Sequence, residues 1–192
     1  NVKIDSDGDK GETKSLDEVR EVLQSTRIII STVSTLHTHT EIHDWFSTTT
    51  MIVDEASQLL EPQLSGILMH ADRFILIGDE RQLPAVIMQD IRGTILNNPL
   101  FDEICLKDFR VSLFERLLLL CMKHGDGHAF GMLTIQARMH DNIAKIISTM
   151  HYGNRLQSMH PWQLEEGYAP LMEYPRLAWI DSAPEDHYKL HL

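Results

Sequence analysis

Cysteine is scarce in this 192-residue chain, which has only Cys105 and Cys121. Two cysteines without metal-like spacing exclude a disulfide-stapled scaffold and fit a reducing compartment. Long apolar runs are missing too. The longest candidate, LLLLCM at residues 117–122, falls far short of the roughly 18 to 20 residues a membrane span needs. Basic residues are outnumbered, 17 against 28 acidic, for a net charge of -11. That balance speaks against a simple basic glove for nucleic acid, because phosphate contacts draw on Lys and Arg. It leaves room for a grip made through backbone amides and hydroxyls. The opening residues 1–10 are polar and acidic, the opposite of a secretory signal, so an intracellular protein, cytoplasmic or nuclear, is expected. The phosphate-cradling string G-x-x-x-x-G-K-[ST] is also absent. Its nearest approach, GDKGETKS at residues 8–15, has Thr13 in place of the second glycine and no apolar strand before it. A helix cap after a linker accounts for that string, and a degenerate phosphate loop is the alternative.

What is present is a hydrophobic share of 43%, enough to fill a core. Residues 1–14 read as a mobile acidic opening segment. Asp5, Asp7 and Asp9 match three calcium-loop positions, but Lys10 and Leu16 stand where the glycine and the closing glutamate belong. Ser15 to Glu18 (SLDE) is a capping box opening a helix that ends near Gln24, with Leu16, Val19, Val22 and Leu23 at helical spacing. RIIISTV (27–33), MIV (51–53) and FILI (74–77) read as buried strands, and residues 62–70 as a helix between the last two. Strand, helix and strand in this rhythm predict α/β architecture with a parallel sheet. Residues 113–122 form an apolar helix, and Gly125, Gly127 and Gly131 mark a junction. The domain reading is therefore 15–124 for one lobe, 125–131 for the junction and 132–192 for the opening of a second lobe. In that second part, 132–135 and 177–180 are expected as strands and 141–152 as a helix with Ile143, Ile146, Ile147 and Met150 turned inward.

Three segments carry chemistry. MIVDEASQ (51–58) runs a strand straight into two carboxylates at the carboxyl end of a sheet, where α/β ligands bind. In nucleotide hydrolysis one carboxylate holds the Mg²⁺ shell and the next orients the attacking water. Two solvated acids opening a helix is the blander reading. IGDERQLPAV (77–86) breaks a second strand at Gly78-Asp79 and sets Gln82 three residues on, where an amide could report a terminal phosphate. LTIQARMH (133–140) sets Arg138 after a third strand, and an arginine supplied across a cleft stabilises phosphoryl-transfer charge. A surface salt bridge is the alternative. His37, His39 and His43 could hold a transition metal, or simply make a polar loop. Tyr152, Arg155, His160 and Trp162 could touch bases or anchor the last helix.

DEASQ, GDERQLP, SLFERL (112–117) and QARMH, in this order, resemble the Upf1-like (DNA2/NAM7) family of superfamily 1 helicases over residues 26–156, with a weaker tail to 181. The resemblance implies a RecA-like, P-loop NTPase sheet with flanking helices, plus the start of a second RecA-like lobe. It implies an ATP-dependent helicase or translocase on single-stranded DNA or RNA, with Mg²⁺ as cofactor. By the same token Asp54 would coordinate Mg²⁺, Glu55 would be the general base, and Arg138 the arginine finger. Gln82 would sense the γ-phosphate, Gln58 and Asp79 would couple the nucleotide site to the strand, and Gln136 would join the nucleotide-binding set. RIIISTVSTL would be a nucleic-acid-contacting strand, with Thr32 and Ser34 on its phosphates. The chain departs from the pattern at Ala137, where an aromatic usually stacks on adenine, and at Asp141, where proline is usual and a helix cap remains possible. A late arginine motif is also absent. The chain is thus expected to be a segment of a longer protein and to bind ATP poorly by itself. A helicase-like scaffold without catalysis, or a P-loop NTPase that does not unwind, are the rival readings.

Overall fold

The computed structural model describes residues 15–88 and 90–165. The chain divides into two compact units, 1–130 and 131–192. The GDKGETKS string up to Lys14, the acidic triplet and the strand expected at 177–180 lie outside the described residues.

In the first unit, helix α1 (Leu16–Ser25) opens on the expected capping box: the Ser15 hydroxyl accepts from Glu18 N–H and the Glu18 carboxylate from Ser15 N–H, at 3.3 and 2.7 Å. Helices α2 (Val33–Thr38) and α3 (Glu41–Trp45) follow. Strand β1 (Thr48–Val53), helix α4 (Glu61–Leu68) and strand β2 (Ala71–Leu76) then form a βαβ unit with parallel strands, Thr48 facing Ala71 and Val53 facing Leu76. The β-branched run of β1 favours the pleat, and Glu61-Pro62 opens α4 with a fixed proline φ where no intrahelical donor is needed. Short α5 (Pro99–Glu103) and the longer α6 (Leu113–His124) complete the unit. Ser112 caps α6, and Gly125 ends it at φ 76°, the left-handed conformation that glycine adopts without a Cβ penalty. The core gathers Val53, Ala56, Leu64, Ile67, Leu68 and Leu113, so α4 and α6 close on the same end of β1. The opposite sheet face keeps Ile52, Ile75 and Ile77 exposed. Among the described residues this sheet has two strands.

The second unit repeats the pattern on a small scale. Strand β3 (Ile135–Gln136), helix α7 (Asp141–His151) and strand β4 (Gln157–Ser158) make a parallel pair around a helix. No described helix is long and apolar enough to cross a membrane.

Several expectations are corrected. RIIISTV is not a strand: residues 27–32 pair with no strand among the described residues, Ile28 and Ile30 are 78% and 94% exposed, and Thr32 caps α2 instead. A β-branched run needs a ladder partner to become a strand, and a threonine hydroxyl competes locally by bonding the first helical amides. The strand expected at 132–135 shrinks to Ile135–Gln136, with Leu133 exposed. In α7 the buried residues are Ala144 and Ser148, while Ile143, Ile146 and Met150 are exposed. The helix lies against β4, and the Ser148 hydroxyl accepts the Leu156 amide just before that strand, at 3.1 Å. Asp141 is the first residue of α7 rather than its cap; His140 Nδ1 takes the Asn142 amide at 3.2 Å, and Asp141 pairs with Lys145 at 2.7 Å.

Candidate nucleotide-hydrolysis site

Both carboxylate-bearing loops leave the same end of the parallel pair. Beyond Val53 and Leu76 the ladder continues: Ile77 N–H donates to Val53 O and Ala56 N–H to Ile77 O, both at 2.8 Å. The two loops then meet side by side. Asp79 N–H donates to the buried Ser57 hydroxyl at 3.1 Å, and a Cβ on Gly78 would stand 2.8 Å from the Ser57 nitrogen. Only a residue without a side chain allows this approach. The crossover through α4 is what brings DEASQ and GDERQ, distant in sequence, to one edge.

Asp54 and Glu55 are exposed in the tight turn that ends β1. Glu55 has φ 52° and ψ 35°, a left-handed conformation unusual for a residue with a side chain. Three bonds hold it: Glu55 N–H to Asp54 Oδ1 at 3.0 Å, Gln58 N–H to Glu55 O at 2.9 Å, and the Gln58 amide to Glu55 Oε2 at 3.1 Å. Gln58 thus orients the Glu55 carboxylate. In the neighbouring loop, Gln82 Nε2 donates to Asp79 Oδ2 at 2.9 Å and Arg81 N–H to Asp79 Oδ1 at 3.0 Å. The structure therefore brings together Asp54, Glu55, Gln58, Asp79 and Gln82 in two adjoining loops.

One Asp54 oxygen accepts the Glu55 amide; the other carries no hydrogen bond among the described residues and the side chain faces solvent. Mg²⁺ typically keeps most of its waters and takes one or two protein carboxylates beside substrate phosphates, so this donor set fits it. Among the described residues no group of three histidine, cysteine or acidic side chains could hold a metal. The histidine triplet comes apart: His37 Nε2 meets Gln63 O at 2.6 Å, His39 pairs with Glu41, and His43 stacks on His70.

Thr32 and Ser34 stand at the exposed opening of α2, where Thr32 Oγ1 accepts Thr35 N–H at 3.2 Å. In the second unit Arg138 is exposed and forms no ion pair among the described residues. Gln136 is wholly occupied by its own loop and by β4: its Oε1 accepts from Arg138 N–H and Met139 N–H at 3.1 and 2.8 Å, and its Nε2 donates to Met139 O and to the Ser158 hydroxyl on β4. It shapes the turn that displays Arg138. Gln163, missed in the sequence, completes that turn. It is fully buried and donates to Met139 O at 2.6 Å and Gln136 O at 3.2 Å. A glutamine in PWQLEE carries no pattern that marks it. Ser57, Gly78 and the pair Glu61–Arg116 were also outside the expected set, although each lies within or beside a motif.

Acidic loops at the carboxyl ends of two parallel strands stand where α/β sheets bind ligands, and comparison with known proteins gives the family. A family model for an AAA domain matches residues 3–90. The ATP-dependent helicase/nuclease DNA2 of Bos taurus is 30% identical over 148 residues, 75% of this chain and 12% of that protein. DNA-binding protein SMUBP-2 of Mesocricetus auratus is 36% identical over 111 residues, 58% of the chain and 10% of the relative. Regulator of nonsense transcripts 1 of Dictyostelium discoideum is 32% identical over 125 residues, again 58% of the chain but 8% of the relative. The chain spans about a tenth of the length of these relatives. It belongs to the Upf1-like (DNA2/NAM7) family of superfamily 1 helicases.

Proposed function

We propose that this chain is part of an ATP-dependent helicase or translocase that works inside the cell on single-stranded DNA or RNA, with ATP hydrolysed between two RecA-like lobes. Residues 15–124 belong to the first lobe, 125–131 to the junction and 132–192 to the beginning of the second. The observation that carries this reading is the meeting of the DEASQ and GDERQ loops at one edge of parallel β1 and β2 through the Ser57–Asp79 bond. Mg²⁺, when bound, neutralises phosphate charge. Asp54 would hold that ion through its water shell, and Glu55, oriented by Gln58, accepts the proton of the attacking water. Gln82 leaves Asp79 to donate to the terminal phosphate, so its amide registers whether that group is present. Asp79, bonded to the loop that carries Glu55, passes that state on. Arg138, displayed by Gln136, stabilises charge in the transition state. Thr32 and Ser34 offer hydroxyls to strand phosphates, a contact that suits a chain of net charge -11.

Glu55→Gln in the full-length parent tests this. It should leave ATP binding within a few-fold of wild type yet lower strand-stimulated phosphate release by about two to four orders of magnitude, the usual scale for a positioned base. Release at the wild-type rate removes Glu55 from the role. A parent that neither binds nor hydrolyses ATP is a scaffold. One that hydrolyses without displacing a strand is an NTPase of another kind.

A further inference from the structure

Arg116, in the SLFERL segment on α6, reaches back 55 residues to Glu61, the first residue of α4. The contact is bidentate: Nε donates to Oε2 and Nη2 to Oε1, each at 2.6 Å. Nη1 donates in addition to Ile104 O at 3.0 Å. Only 11% of the arginine side chain and 16% of the glutamate side chain are exposed. Around the pair, Leu60 bridges Ser112 in an antiparallel contact, Ala56 and Leu113 share the core, and α6 packs on the turn Ala56–Gln58. Residues 56–60 are all that separate Glu55 from Glu61.

A largely buried ion pair contributes little net stability over apolar residues of the same volume, because desolvation offsets attraction. What a planar guanidinium adds is geometry, since two parallel bonds fix both angle and distance. The place where that geometry is spent is one turn from the carboxylates. Glu55 needs it, because its left-handed backbone persists only where the surroundings over-determine it.

We propose that Arg116 is a positioning residue for the carboxylate loop: by clamping Glu61 it anchors the far end of the segment that carries Asp54 and Glu55. The inference rests on the hydrolytic reading of that loop. It also gives α6 a task, since this helix runs to Gly125, shortly before the second unit begins at residue 131. Whatever displaces α6 displaces the loop.

The test uses the full-length parent with Arg116→Gln, Arg116→Lys, Glu61→Gln and the double Gln variant. Two readouts are taken: strand-stimulated hydrolysis of Mg-ATP, normalised to the ATP-binding sites present, and amide exchange in a peptide covering residues 51–58. Arg116→Gln should lower kcat about tenfold or more while KM for ATP stays within about threefold. Exchange at 51–58 should quicken about tenfold or more, because local opening becomes easier. Arg116→Lys, which keeps the charge but not the fork, should fall between on both readouts. The double variant should be no worse than either single one, as expected for two ends of one contact. If Arg116→Gln does not fold, Glu61→Gln carries the same comparison. A normalised kcat within twofold of wild type overturns the proposal, whether or not exchange changes. If the wild-type parent does not hydrolyse ATP, the hydrolytic reading fails by itself, and the exchange readout decides whether Arg116 places the loop.

Discussion

Glu55 and Gly78 show how two single residues set the site. Glu55 sits in a backbone conformation that costs on the order of 1 kcal/mol or more for a residue with a Cβ, and it is held there by Asp54 and Gln58. Gly78 lets the second loop lie directly against Ser57, which accepts the Asp79 amide. Adding one methyl group there forces backbone apart, since the nearest atom is a main-chain nitrogen at 2.8 Å. Gly78→Ala should therefore destabilise the chain by about 1–3 kcal/mol, the usual cost of overpacking a tight contact. Urea unfolding of the 192-residue chain measures it. A midpoint equal to wild type would mean that the two loops part without cost, and the coupling assigned to Ser57 and Asp79 would lose its physical basis.

At the scale of elements, α4 is the piece that α2, α6 and β2 share. Its end is closed by an aromatic contact: His43 of α3 stacks on His70 with ring centroids 4.0 Å apart and planes 8° from parallel. Burial, first, and the neighbouring His70 hold the His43 pKa below its ordinary value, with His37 adding to the depression and Asp44 and the Leu36 backbone opposing it. The sign follows. A neutral His43 is preferred in the folded state, so its contribution is complete above the unfolded value near 6.5 and is lost as pH falls through the lowered folded value. Thermal unfolding between about pH 7.5 and pH 5 should show melting temperature falling with acidification. His43→Phe, which keeps a ring against His70 and removes the proton, should flatten that fall. An unchanged slope in the variant would place the acid sensitivity elsewhere.

For the molecule as a whole, the two βαβ arrangements carry different halves of the proposed chemistry: acids and sensor in one unit, the arginine in the other. Tight triphosphate binding in such folds relies on a loop of backbone amides and a lysine, and the string G-x-x-x-x-G-K-[ST] does not occur in these 192 residues. Asp54, Glu55 and Asp79 add negative charge at the same sheet edge. The chain by itself is therefore expected to melt within about one degree with and without millimolar Mg-ATP, because a ligand stabilises by RT ln(1 + [L]/Kd) and weak binding contributes little. A shift of several degrees, accompanied by strand-stimulated phosphate release, would show that other residues do that loop's work.

The parallel strands at 51–53 and 74–77, the helix between them, the Ser15–Glu18 cap and the order of the four motifs were legible in the chain itself. Each rests on local periodicity, on capping chemistry or on residue types that a turn demands. The same local logic misread RIIISTV, since a β-branched run becomes a strand only where a partner supplies the ladder, and no local pattern announces the partner. It also turned Ile143, Ile146 and Met150 of α7 inward, although the buried residues are Ala144 and Ser148 and Ile147 is half-buried. The neighbours of the candidate site were decided by tertiary contact alone. The Ser57–Asp79 bond spans 22 residues, Glu61–Arg116 spans 55 and Gln163 reaches 27 back to Gln136. A motif names the residues that do chemistry, because their type is constrained at one place in the chain. The residues that hold them still can come from any distance, since only closeness in space is required.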